Sequence, residues 1–299
     1  VYVRVNGIDV YYETLGEGNP LLMIHGFGID STVMKRAFEP VFDTRASGGI
    51  SGVVSANFMR VYFDLPGMGK TDKTFGIDNA DDMLDLIVRF KDTVISNSSF
   101  SVIGYSYGGY LARGLLRREF EGITGMFLFA PVIYPAKEDR TLPTFKVLTR
   151  DSRINEILKG IKNKESEGKR SFSGVDESKA FEKFVDSVVV QNEYTWRRYL
   201  KEVYPGLLRV DRGFLRRYQS RGYSFSFDPD ELERPFRNPV LVLTGRQDSV
   251  VGYMDSFKLM QNYPRGSFVV LDMAGHNLQI ERYELFEALF LDWLKRVYG

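Results

Sequence analysis

The chain opens on alternating apolar and polar positions, Val1, Val3 and Val5, then Asn6-Gly7, then Ile8, Val10 and Tyr12. A period of two on both sides of Asn-Gly predicts a β-hairpin closed by a primed two-residue turn. Gly16 to Pro20 breaks the pattern, and Leu21-Leu22-Met23-Ile24 then reads as a short buried strand. Thr32 to Phe42 reads as a helix, Arg60 to Asp64 as a strand and Asp82 to about Ser96 as a helix. The run from Phe100 predicts a strand ending at Ser106, followed by a helix over Tyr110 to Phe120 and a strand over Gly125 to Ala130. Strands alternating with helices imply an α/β fold, with a mostly parallel central sheet flanked by helices.

From about Tyr134 to Arg234 the strand signal disappears. Phe181, Phe184, Val185 and Val188 share one helical face, and Trp196, Tyr199, Leu200 and Val203 share another. We therefore expect an inserted helical cap, or lid, over 134–234, between core segments 1–133 and 235–299. Strand signals return at Val240 to Thr244 and Ser267 to Asp272. A helix is predicted between them, around Tyr253 to Asn262, and a closing helix runs from Glu284 to about Val297. Ala46 to Ala56, rich in Gly and Ser, and Lys162 to Ser178, polar and charged, read as mobile loops.

Composition narrows the partners. With 43% hydrophobic residues in 299, the chain can bury the core of one large domain carrying an insertion. A formal net charge of +1 gives no reason to expect nucleic acid or an anionic membrane surface as a partner. The absence of cysteine excludes disulfides, a thiolate nucleophile and cysteine metal sites. No apolar run approaches ~18 residues and no charged-then-apolar leader is visible, so a soluble, cytoplasmic protein without a membrane span is expected. None of these features sets an oligomeric state.

The strongest chemical signal is Gly104-Tyr105-Ser106-Tyr107-Gly108-Gly109, between an apolar strand and a helix-forming stretch. A serine on a sharp strand-to-helix turn needs very small residues two before and two after it, and Gly104 and Gly108 meet that demand. Ser106 is the candidate nucleophile. A serine hydroxyl needs a base within hydrogen-bond reach and a group to orient that base. Of the two histidines, His276 lies in the loop after the strand Ser267 to Asp272, where a parallel sheet gathers its carboxyl-end loops. His276 is the candidate base and Asp248, beyond the preceding strand, the candidate orienting carboxylate, with Asp272 and Asp228 as competitors. His25-Gly26-Phe27-Gly28 can bring a main-chain amide to an oxyanion, so the N–H groups of Phe27 and Tyr107 form the candidate oxyanion hole.

Together these residues resemble the α/β-hydrolase superfamily, in the group with a helical cap after the sixth strand. The likeness covers nearly the whole chain. It rests on His25-Gly26, Asp64-Leu65-Pro66-Gly67-Met68-Gly69, the serine turn, Asp248 and Gly275-His276 in that order. It implies that Asp64 and the following glycines shape a turn near the site and that His25 is structural. The long Ala46 to Ala56 connection departs from the usual pattern.

The resulting expectation is a serine hydrolase of carboxylesterase type, acting on a small or medium ester through an acyl-enzyme and requiring no metal or cofactor. Carbon–carbon bond hydrolysis, aminopeptidase or thioesterase chemistry, or a ligand sensor retaining the three residues, are the alternatives on this fold. Gly69-Lys70-Thr71 matches the tail of a phosphate loop, but Asp64 stands where that loop needs its first glycine. Phe145, Trp196, Tyr199, Phe214, Tyr218 and Tyr223 are expected to build the cap interior, with some of them roofing the pocket. Arg197, Arg198, Arg209, Arg212, Arg216, Arg217 and Arg221 make the cap locally cationic, as a solvated face or as a funnel for anions.

Overall fold

The computed structural model describes residues 1–43, 57–71, 74–96, 99–166 and 176–299, without the side chains of 164–166. The predicted loop over 46–56 lies outside the described residues. The N-terminal hairpin pairs β1 (Tyr2–Val5) with β2 (Ile8–Leu15), and both turn residues have positive φ, 49° at Asn6 and 80° at Gly7. That is the backbone a primed turn requires. The other large strands are β3 (Asn19–Ile24), β4 (Phe58–Phe63), β5 (Phe100–Tyr105) and β6 (Ile123–Phe129). Their connecting helices are α1 (Thr32–Phe42), α2 (Ala80–Val94) and α3 (Tyr107–Arg118).

Between β6 and the next large strand the chain forms β7 (Thr149–Arg150), α4 (Ser152–Ser166), α5 (Glu177–Val185), β8 (Val190–Gln191), α6 (Glu193–Glu202), α7 (Tyr204–Leu208) and α8 (Arg212–Arg221). Phe184 packs edge-on against Trp196 and Tyr199, at ring-centre distances of 5.2 and 5.6 Å, so the two predicted apolar faces do meet. Two expectations for this region need correction. The polar stretch expected to be a loop from Lys162 is helical to Ser166, and α5 already begins at Glu177. Lys- and Glu-rich sequence sustains a helix with little buried surface; in α4 it is Ile154 and Ile161 that are buried. The region also contains strand pairing, as β7 and β8 form a parallel two-residue contact.

The chain then completes its sheet with β9 (Val240–Gly245) and β10 (Gly266–Leu271) and ends in α9 (Leu278–Glu281) and α10 (Tyr283–Tyr298). The helix expected around Tyr253 to Asn262 is a 3-10 helix over Asp255–Asn262. The eight-stranded sheet has the order β1-β2-β4-β3-β5-β6-β9-β10, antiparallel at β1, β2 and β4 and parallel from β4 onward. Because β4 and β5 flank β3 on opposite sides, the chain reverses its winding there, and the carboxyl ends of β3 and β5 open a crevice. The core is aromatic: Phe38 of α1 meets Phe127 and Phe129 of β6 and Phe286 and Phe290 of α10 at 4.7 to 6.0 Å. Among the described residues, no helix is long and apolar enough to cross a membrane.

Candidate active site

Ser106 sits between β5 and α3 with φ 54° and ψ −118°, a region that non-glycine residues rarely occupy. Holding it there costs of the order of 1–3 kcal/mol, which the surroundings must offset. They do so by close approach. A Cβ on Gly108 would lie 2.1 Å from the Ile24 carbonyl oxygen, and one on Gly104 2.5 Å from that of Gly108. β3, β5 and the first turn of α3 therefore touch through main chain alone. The turn is closed by the Ser106 N–H donating to the Phe129 carbonyl at 3.1 Å, while the Ser106 carbonyl accepts from Gly109 and Val132 at 3.0 and 2.9 Å. Helix α3 starts at Tyr107, three residues before the periodicity indicated, because Gly108 and Gly109 carry no side chain to show an apolar face.

The Ser106 hydroxyl lies 3.0 Å from His276 Nε2, and His276 Nδ1 lies 2.9 Å from Asp248 Oδ2. Ser106 and Asp248 are buried, whereas the His276 side chain keeps 15% of its surface exposed. The other oxygen of Asp248 accepts from the N–H groups of Val250 and Val251 at 2.8 and 3.0 Å, which fixes the carboxylate plane. The competitors face elsewhere: Asp272 accepts from Gln247 and Asp228 from the Asp230 amide. Among the described residues the amides of Phe27 and Tyr107 find no intramolecular acceptor, while the neighbouring Gly28 amide is taken by the Met68 sulfur. Gly26 permits this approach, since a Cβ there would stand 3.0 Å from Ser106 Cβ.

His25 does other work. Its Nδ1 donates to the Gly26 carbonyl at 2.7 Å and its Nε2 accepts from the Leu65 amide at 2.9 Å. Burial pushes its pKa down against the pull of Asp64, so it is a neutral bracket between the two loops. Asp64 spends its oxygens on the amides of Ser31 and Lys70, both at 2.8 Å, and occupies the space a Cβ on Gly69 would need. The amides around Gly69-Lys70-Thr71 are thus consumed within the fold and form no phosphate cradle.

One buried acid had no signal in the sequence. Glu281 accepts from the N–H groups of Gly275 and Val189, each at 2.6 Å, tying the loop before His276 to the chain between α5 and β8. Burial pushes its pKa up to about 7 against the pull of those amides. It follows Leu278-Gln279-Ile280, where a glutamate reads as an ordinary helix surface residue.

A cavity of about 410 Å³ opens onto Ser106 and His276 and is lined also by Gly26, Phe27, Tyr199 and Tyr223. Of the six aromatics expected in the helical segment, these two line the cavity, while Trp196, Phe214 and Tyr218 are buried in packing and Phe145 is half-buried. None of the seven arginines singled out lines it. Arg197, Arg198 and Arg209 pair with Glu193, Glu202 and Asp30, and Arg212, Arg216, Arg217 and Arg221 are exposed. The guanidinium in the cavity wall is that of Arg140, absent from the sequence reading because it stands alone in an irregular stretch.

A family model described as the alpha/beta hydrolase family matches residues 21–289. The chain belongs to the alpha/beta hydrolase family. The hydrolase is 31% identical over 138 residues to pimeloyl-(acyl-carrier protein) methyl ester esterase of Shewanella woodyi, a match covering 45% of each chain. Over 299 residues it is 22% identical to 2-hydroxy-6-oxo-6-(2'-aminophenyl)hexa-2,4-dienoic acid hydrolase of Metapseudomonas resinovorans, covering 99% of this chain and 90% of that one. The crystal structure of an alpha/beta superfamily hydrolase from Oenococcus oeni PSU-1 superposes with a TM-score of 0.82 at 26% identity, covering 100% of both chains. Both curated relatives carry hydrolase names, one an esterase.

Proposed function

We propose that the protein is a serine esterase in which Ser106 attacks a small or medium ester, His276 moves the proton and Asp248 orients the imidazole. The observation that carries this is the unbroken path from Ser106 Oγ through His276 to Asp248, with links of 3.0 and 2.9 Å, at the floor of a cavity. As Ser106 Oγ bonds to the acyl carbon, its proton passes to His276 Nε2 and the carbonyl π electrons move to the oxygen. The amides of Phe27 and Tyr107 donate to that oxyanion, each worth about 3 kcal/mol in the transition state. On collapse the carbon–oxygen bond to the alcohol breaks and His276 returns the proton to the leaving oxygen. Water then repeats the sequence on the acyl-enzyme, releasing the acid and restoring Ser106. We read 134–234 as a cap, since Tyr199 and Tyr223 from that region line the cavity together with Ser106 and His276.

Carbon–carbon hydrolysis is the second reading, favoured by the nearly full-length match to a dienoic acid hydrolase. A panel of esters, thioesters, aminoacyl amides and a vinylogous diketone, run on wild type and Ser106→Ala, separates them. Turnover of esters should dominate and fall by about four to six powers of ten in the variant. Retention of most ester hydrolysis by Ser106→Ala would refute the proposal.

A further inference from the structure

The acyl-transfer scheme leaves two cations in the cavity wall unused, Arg140 and Lys183, and Arg140 is the one fixed by hydrogen bonds. Arg140 follows a single 3-10 turn, Lys137–Asp139, and its guanidinium is held by main-chain carbonyls from two parts of the chain. Nε donates to Tyr134 at 2.8 Å, Nη2 to Pro135 at 2.7 Å and Nη1 to Val250 at 3.0 Å. Three of the five N–H groups are thereby satisfied and the Tyr223 hydroxyl is a further side-chain partner, which leaves one N–H open to a ligand. Carbonyls orient a guanidinium without neutralising it. Arg113, likewise held by the carbonyls of Val132 and Ile133, also has the Asp230 carboxylate at 2.7 Å, whereas Arg140 has no carboxylate partner among the described residues.

We propose that Arg140 is the recognition site for a carboxylate on the substrate, so that the preferred substrate is an ester carrying a free carboxylate a short chain away from the scissile carbonyl. The open N–H of this immobilised cation and the Tyr223 hydroxyl beside it offer two donors to the two oxygens of a carboxylate, and pre-orientation reduces the entropy lost on binding. The cavity's other ionisable walls fit: Lys183 adds a second positive charge, Asp186 a single negative one, and His276 belongs to the proton path. Tyr223 links the two ends of such a ligand. Its hydroxyl adjoins Arg140, and burial keeps it protonated and able to donate. Its ring stacks on Tyr107 at 4.1 Å and meets the edge of Phe27 at 5.0 Å, the residues whose amides are assigned to the oxyanion. Arg140 and Ser106 thus line one cavity of about 410 Å³, and the chain length preferred among half-esters of short dicarboxylic acids reads the spacing between them.

The assignment rests on the serine-esterase reading, and its test keeps the two apart. Monomethyl and dimethyl esters of succinic, glutaric and adipic acid are compared by kcat/KM in wild type, Arg140→Met and Ser106→Ala. In wild type the monoester should be favoured at least about tenfold for one chain length, and in Arg140→Met that ratio should fall by about ten- to a hundredfold, as for loss of a charge-assisted pair. A ratio at or below one in wild type, or a preference that survives in Arg140→Met, overturns the proposal. Should Arg140→Met not fold, competition in wild type decides. Free glutarate should inhibit hydrolysis of the dimethyl ester competitively while glutaramide does not, and equal inhibition by both overturns the proposal. Ester hydrolysis that persists in Ser106→Ala refutes the serine reading instead, whatever the ratio.

Discussion

Glu281 allows a prediction that needs no substrate. Its carboxyl is pushed from 4.5 to about 7, chiefly by burial and with a contribution from the nearby Asp248 charge, while the amides of Gly275, Val189 and Val190 act in the opposite direction. An acid whose pKa rises on folding keeps its proton in the native state after the unfolded chain has released it. Its contribution to stability is therefore complete below about pH 4.5 and is lost as pH rises through about 7. At about 1.4 kcal/mol per pH unit across that interval, the loss is roughly 3 kcal/mol. Glu281→Gln removes the titration but keeps the size of the side chain; it also turns an amide NH2 toward one of two N–H donors, a constant penalty of about 1–3 kcal/mol. The stability difference between wild type and Glu281→Gln should thus be largest near pH 4.5, shrink by about 3 kcal/mol toward neutrality, and level off above about pH 8. Urea unfolding followed by the fluorescence of the buried Trp196 and Trp293 measures it, and subtracting the variant cancels the other carboxylates. A difference that stays flat between about pH 4.5 and 8 would show that Glu281 does not hold its proton in the folded state, refuting the reasoning.

Asp248→Asn should lower kcat for a chromogenic ester by about a thousand- to ten-thousandfold with little change in KM, because an amide can hold His276 in the wrong tautomer. Near-wild-type turnover would remove Asp248 from the relay. Gly108→Ala places a methyl group 2.1 Å from the Ile24 carbonyl oxygen and 2.6 Å from that of His25, both main-chain atoms that cannot turn aside. Overpacking of about 3 kcal/mol corresponds to a Tm lower by roughly 6–12 °C in a domain of this size, read by thermal denaturation, and an unchanged Tm would refute the close approach.

What the sequence made legible was local or topological. The Asn6-Gly7 turn is written in two residues because a primed turn needs positive φ at both. Ser106 was legible because its strained backbone demands glycines at fixed offsets, and His276 and Asp248 because parallel strands deliver their following loops to one edge. Glu281 escaped notice for a physical reason: its partners are main-chain amides, one of them 92 residues away, and side-chain periodicity carries no record of an amide. Arg140, alone in an irregular stretch, escaped because carbonyls and not acidic residues hold it, so no neighbouring charge marked it. The end of α4 was missed because a helix with few buried positions is indistinguishable by pattern from a polar loop.

The two sides of the serine turn are constrained by different physics, and this matters for the proposed mechanism. Beneath Ser106, main chain meets main chain through Gly104 and Gly108, so the nucleophile's height above the sheet has almost no freedom. Above it, Tyr107 is held by the helical segment: its hydroxyl lies 2.9 Å from that of Tyr218 and donates to the Tyr223 carbonyl at 3.0 Å. Phe27 packs on the same group, at 5.7 Å from Tyr107, 5.9 Å from Tyr218 and 5.0 Å from Tyr223. Each aromatic pair contributes about 0.5–1.5 kcal/mol beyond its buried area, so lifting Tyr218 and Tyr223 away would cost several kcal/mol. It would also strip the side-chain packing from the two residues whose amides are assigned to the oxyanion.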